Sequence, residues 1–228
     1  MATLAERLAA IETKIQDAAR QANRLRNEIT LVVVSKNHPA QLVVNLVDLG
    51  QRDFGENRDQ EAAPKAAEVA IERPGLANWH FVGQLQTNKV KSVLNYASTV
   101  HSLDRESLLR EISKVASNRG IEVEVFIQLN LTDDPERGGI APENLLAFAE
   151  ATAASPGVKP IGVMAVASLD GQEERDFGLV AEASQQLQTV VPSARFVSAG
   201  MSGDFELAIS YGATHLRIGT AITGSRPV

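Results

Sequence analysis

The chain has 228 residues, is 44% apolar and carries a formal net charge of −6, so it has enough apolar material for one sizeable core. The acidic balance excludes a broad nucleic-acid or anionic-membrane surface, because such partners select clustered lysine and arginine. The absence of cysteine excludes disulfides, thiolate nucleophiles and cysteine metal sites, and fits a reducing cytoplasm. From Met1 to Asn27 the chain is charged throughout and has no long apolar core, so it reads as neither a signal peptide nor a spanning helix. Instead Leu4, Leu8, Ile11, Ile15 and Leu25 space an amphipathic helix that runs to about Arg26.

The apolar run Leu31–Ser35 ends at Lys36, and Pro39 is placed to open a helix just beyond. This reads as a buried parallel strand handing over to a helix. The pattern then repeats. Strand-like runs follow at Asp53–Glu56, Trp79–Gly83, Thr99–Ser102, Val123–Asn130, Ile161–Val166, Arg195–Ser198 and His215–Ile218. Helical stretches lie near Ala40–Leu49, Arg58–Glu72, Thr87–Leu94, Arg105–Arg119, Pro142–Ala153, Glu173–Val190 and Gly203–Tyr211. Eight alternations predict an α/β fold, a (β/α)8 TIM barrel with an additional N-terminal helix, and a single domain over residues 1–228. An open doubly wound sheet competes with it, but no GxGxxG follows the first strand. Thr132–Gly139 reads as a polar, turn-rich loop.

In a barrel all eight strand ends meet at one mouth, where α/β folds place their chemistry. Lys36 sits there, either as an imine-forming amine activated by desolvation or as a lysine that snorkels to the rim. After the seventh run, Ser198-Ala199-Gly200-Met201-Ser202-Gly203 leads into a helix beginning near Asp204. The free N–H groups of such a helix start attract a phosphate, which makes Ser202 a phosphate ligand or an ordinary N-cap. Gly219 and Thr220, beyond the eighth run, supply the other half of the cradle. Arg217 lies inside the last strand, where alternation aims it inward, so its guanidinium needs either a carboxylate or a ligand atom. Together, a lysine, a phosphate cradle and an inward arginine are the equipment for pyridoxal 5′-phosphate: an amine for the aldehyde, donors for the phosphate and a group facing the pyridine nitrogen.

The sequence resembles the pyridoxal-phosphate homeostasis protein family, relatives of the alanine-racemase barrel domain, from about Leu31 to Arg226. The motifs that carry the resemblance are Val34-Ser35-Lys36, Phe54-Gly55-Glu56-Asn57, Trp79-His80-Phe81-Val82-Gly83, His101-Ser102-Leu103-Asp104, Gly200-Met201-Ser202 and Leu216-Arg217-Ile218-Gly219-Thr220. The resemblance implies a single-domain barrel in which Lys36 holds the cofactor as an internal aldimine. It also implies phosphate contacts from Ser198, Met201, Ser202, Gly219 and Thr220, with Arg217 at the pyridine nitrogen and Asn57 beside the cofactor. Asn37-His38, Arg58, Ala199 and Gly224 depart from the usual family pattern.

His80 and His101 read as hydrogen-bonded barrel residues rather than metal ligands, and no metal is expected. Trp79 is expected to pack against the barrel wall, and Tyr96 and Tyr211 to lie outside the mouth. The leading expectation is a cytoplasmic, monomeric, non-catalytic protein that binds pyridoxal phosphate. It would regulate or buffer the cofactor and amino-acid balance, with apo pyridoxal-phosphate enzymes or a regulatory protein as partners, and neither nucleic acid nor membrane. A racemase and a barrel enzyme for a phosphorylated metabolite are the alternatives. A racemase needs an acid/base on each face of the substrate, and the related racemases bring a tyrosine from a second domain that this chain lacks.

Overall fold

The computed structural model describes residues 2–132, 137–168 and 171–224. Residues 133–136, within the expected loop Thr132–Gly139, lie outside the described residues, as does Arg226. The chain forms a closed barrel of eight parallel strands: β1 (Thr30–Val34), β2 (Asp53–Glu56), β3 (Asn78–Phe81), β4 (Ala97–Leu103), β5 (Val123–Gln128), β6 (Val158–Met164), β7 (Phe196–Ser198) and β8 (His215–Ile218). Closure decides against the open sheet. The first and last strands pair in parallel, Thr30 opposite His215 through to Val33 opposite Ile218.

Around the barrel run α2 (Ala40–Asp48), α3 (Asp59–Glu72), α4 (Val90–Val93), α5 (Glu106–Arg119), α6 (Leu145–Ala153), α7 (Glu173–Val190), α8 (Phe205–Ser210) and α9 (Thr220–Thr223). Strand alternation sends Leu31, Val33, Phe54, Phe81, Leu216 and Ile218 outward into the large core between sheet and helices. Phe126, Ile161 and Met164 form a separate small cluster. Trp79 joins the outer core, against Phe54 and edge-on to Tyr96, with ring centroids 5.8 and 6.4 Å away.

The extra helix α1 (Leu4–Gln21) opens with a capping box, in which Thr3 accepts from the Glu6 amide and Glu6 accepts from the Thr3 amide. Leu8, Ile11 and Ile15 are buried, each contributing roughly 1.5–3 kcal/mol relative to exposure. Arg7 Nε donates to the Ile222 carbonyl at 2.6 Å and ties this helix to α9. The helix stops short of the expected Arg26. Asn23 takes a left-handed backbone, the chain turns, and Leu25, read as part of the apolar stripe, is 66% exposed. The expected helix over Thr87–Leu94 is likewise a 3-10 turn (Thr87–Lys89) followed by the single turn α4. No helix among the described residues is long and apolar enough to cross a membrane.

Candidate functional site

Lys36 lies two residues beyond the end of β1 and is exposed at the C-terminal mouth. The desolvation expected to activate its amine is therefore absent from this structure. Its backbone is held from below. Lys65 of α3 is buried and donates to the Ser35 carbonyl at 2.9 Å, to Glu56 Oε1 at 2.5 Å and to Glu61 Oε1 at 3.0 Å. Ser35 Oγ also donates to Glu56 Oε1, and the Asn37 amide donates to Glu61. Asn37 has a left-handed backbone, φ 63°, so the turn carrying Lys36 is pinned on both sides.

Strand register brings the other candidates beside it. Val34 lies opposite Gly55 of β2 and Val33 opposite Ile218 of β8, so the register carries Asn57 beside Lys36 and sets Gly219 beside Val34, two residues below it. Asn57 is half-buried and backed by Gly83, where a Cβ would stand 2.4 Å from the Asn57 carbonyl oxygen. Only glycine permits that approach. Gly200, with φ 91°, turns β7 toward α8, and a Cβ there would stand 2.9 Å from that of Ala208.

The two late loops form a row of donors. The N–H groups of Ser202 and Gly203, and of Thr220 and Ala221, donate to no acceptor among the described residues. Fixed donors of this kind at helix starts suit an anion. The residue at the N-cap position of α8 is Asp204; its side chain bonds no N–H of the helix, but its Oδ1 accepts the Met201 amide at 2.5 Å, so Met201 offers no free N–H. Ser198 faces inward. Its Oγ accepts from Arg217 Nη1 at 2.5 Å and bonds His101 Nδ1 at 2.8 Å, which places the side chain with the guanidinium and not with the cradle.

Arg217 is only 6% exposed, and its Nη2 donates to the Ala165 carbonyl at 2.8 Å. No carboxylate pairs with it among the described residues, so the internal salt bridge is not found. Burial pulls its pKa down to about 10, against the field of Asp204, and it keeps its proton at neutral pH. A buried cation satisfied by one hydroxyl and one carbonyl can still donate to a neutral ring nitrogen.

His80 and His101 are hydrogen-bonded to each other and to Asp53 and Ser198. Among the described residues no group of three or more His, Asp or Glu side chains could hold a metal ion. Tyr96 meets Trp79 edge-on and Tyr211 lies beside Phe177, both packed against the large core between sheet and helices. The exposed Arg58 lines a hollow of about 570 Å³ on the mouth side with Gln84, Gln86 and Lys89. Sequence reasoning missed Lys65 and the Ala165 carbonyl. A lysine within the alanine-rich stretch of α3 carries no local mark of burial, and a backbone acceptor carries none at all.

A family model described as the N-terminal domain of alanine racemase matches residues 7–227. The chain is 36% identical over 226 residues to a pyridoxal phosphate homeostasis protein of Pseudomonas aeruginosa, covering 99% of this chain and 97% of the relative. The protein of that description from Escherichia coli is 37% identical over 232 residues, with 99% and 98% covered. Among solved structures, PipY of Synechococcus elongatus with pyridoxal phosphate bound superposes with a TM-score of 0.85 at 32% identity, covering 97% of this chain and 100% of PipY.

Proposed function

The chain belongs to the alanine racemase N-terminal domain family, alongside the pyridoxal phosphate homeostasis proteins, and from that premise we propose that it binds pyridoxal 5′-phosphate at the barrel mouth. The reading rests on one observation: Lys36, the Gly219–Thr220 loop and the buried Arg217 converge on adjacent strand ends. When bound, the cofactor would supply an aldehyde open to condensation with a primary amine. Lys36 is the amine that reaches the mouth, and Asn57 lies beside it. Ser202, Gly219 and Thr220 face the phosphate, Met201 completes their loop, and Ser198 steadies Arg217 against the ring nitrogen. A protonated arginine in that position leaves the nitrogen unprotonated and weakens the ring as an electron sink.

The same geometry supports holding the cofactor rather than turning over a substrate on it. Two-base racemisation needs an acid/base on each face of the α-carbon, and both tyrosines are packed against the large core between sheet and helices. On this reading the protein is a cytoplasmic monomer that buffers pyridoxal phosphate or hands it to apo-enzymes or a regulatory protein. Adding pyridoxal phosphate to the purified chain should produce a visible absorption band that is absent in Lys36→Ala, and an identical band in that variant defeats the assignment. Chiral chromatography after incubation with single-enantiomer amino acids tests the racemase alternative, which substantial interconversion would establish.

A further inference from the structure

A line of side chains crosses the barrel interior from one end to the other. Asp53 opens β2 at the N-terminal end, and its Oδ1 lies 3.1 Å from His80 Nε2. His80 Nδ1 lies 3.0 Å from His101 Nε2, His101 Nδ1 lies 2.8 Å from Ser198 Oγ, and Ser198 Oγ lies 2.5 Å from Arg217 Nη1. Four consecutive contacts thus link the lower opening, a hollow of about 540 Å³ lined by Asp53, His80, Glu124 and His215, to the guanidinium under the mouth.

The chemistry of the members gives the line one direction. A guanidinium only donates, so Ser198 Oγ accepts from Arg217 and its single proton goes on to His101 Nδ1. Burial holds the His101 pKa well below its usual value, reinforced by His80, Arg217 and His215, so this ring is neutral and carries its proton on Nε2. That proton is donated to His80 Nδ1, which leaves the His80 proton on Nε2 for the Asp53 carboxylate. Burial works to raise the Asp53 pKa, but the hydrogen bonds from His80 and Asn78 outweigh it and hold the carboxyl ionised below its usual range. Every donor meets one acceptor, with a cation at one end and an anion at the other. Such a chain polarises each of its bonds in the same sense.

We propose that Asp53, His80 and His101 are positioning residues for the cofactor site: through Ser198 they hold Arg217 in place and set its electrostatics from the opposite end of the barrel. This deepens the pyridoxal-phosphate reading and rests on it. The charged and titratable groups around His80 are Asp53 on β2, His101 on β4 and His215 and Arg217 on β8, with Glu28 and Glu124 at the rim of the lower opening. A proton added to the line would turn His101 to donate from Nδ1 to Ser198 Oγ, which already accepts from Arg217, so the Ser198 proton would leave the line. The bound cofactor would sense that change at its ring nitrogen.

The test is a pH titration of the visible band of the full chain loaded with pyridoxal phosphate, in the parent, Asp53→Asn, His101→Gln and Glu124→Gln. Glu124→Gln removes an equal charge from the same opening without touching the line. Asp53→Asn and His101→Gln should move the midpoint or the band position, by about 0.5 pH unit or more for the former, and Glu124→Gln should leave both in place. A midpoint and band position both unmoved in Asp53→Asn, or an equal shift in Glu124→Gln, overturns the proposal. His101→Gln reads the line at its centre if Asp53→Asn does not fold. A parent without a band fails the binding reading itself, whereas a band that no variant moves fails only this inference.

Discussion

Lys65 Nζ of α3 lies 2.5 Å from Glu56 Oε1 at the end of β2, with the two side chains 4% and 0% exposed. This buried pair sits directly beneath the turn that carries Lys36, because Lys65 also donates to the Ser35 carbonyl. Burial raises the Glu56 carboxyl above its usual range despite the hydrogen bonds from Lys65 and Ser35. Removing Lys65 leaves the buried Glu56 with only the Ser35 hydroxyl as donor, whereas removing Glu56 leaves Lys65 paired with Glu61. Lys65→Met should cost about 3–5 kcal/mol, whereas Lys65→Met with Glu56→Gln should cost markedly less than the sum of the two single changes. Denaturant unfolding of the four proteins checks this, and additive losses would show that the two side chains do not act as a pair.

Gly83 lets the end of β3 lie against Asn57, where an added Cβ would meet the Asn57 carbonyl oxygen at 2.4 Å and its Cα at 2.7 Å. Because those contacts are backbone, Gly83→Ala must displace the β2 end. It should destabilise by about 1–3 kcal/mol and weaken pyridoxal phosphate binding through Asn57. Melting temperature and a binding titration measure the two effects, and wild-type values in both would mean that the strand ends absorb the methyl group.

Asp204 stands just before α8; its side chain makes no bond to the first turn of the helix but accepts the Met201 amide and so holds the loop that presents Ser202 and Gly203. Asp204→Ala should cost about 1–2 kcal/mol and raise the dissociation constant for pyridoxal phosphate, because the released Met201 amide and the loosened turn disorder the donors. Asp204→Asn keeps an acceptor and should retain most of the stability. Equal losses in both variants would assign the effect to charge rather than to the hydrogen bond.

His215 sits among His80, His101, Phe126 and Phe196. Burial, with His80 next, pushes its pKa from 6.5 down to about 3. The unfolded chain therefore binds more protons than the folded one between those values, and stability falls as the pH drops from about 6.5 towards 3. His101 acts in the same direction. Thermal melts across that window should show the decline, and His215→Gln should flatten it. A variant as acid-sensitive as the parent would place the titration elsewhere.

The identity and order of the elements were legible because their signals are local. β8 (His215–Ile218) and α7 (Glu173–Val190) match the apolar runs residue for residue, and the positions of Lys36 and Arg217 follow from strand alternation. Where a reading failed, a local contact outweighed periodicity: Asn23 turned left-handed and the chain left the helix before Leu25.

The sequence by itself thus determined the repeated strand–helix pattern, the lysine at the first strand end, the glycine-rich late loops and the inward arginine. The tertiary structure decided what these residues touch. Pairing of β1 with β8 closed the sheet, and closure turned side chains from β2, β3, β4, β7 and β8 onto one axis. It assigned Ser198 to Arg217, buried Lys65 beneath Lys36 and joined Asp53 to the far end of the barrel. Those contacts span up to 97 residues of chain, and pairings at such separations leave no trace in local periodicity, since only packing in three dimensions brings the partners within hydrogen-bond reach.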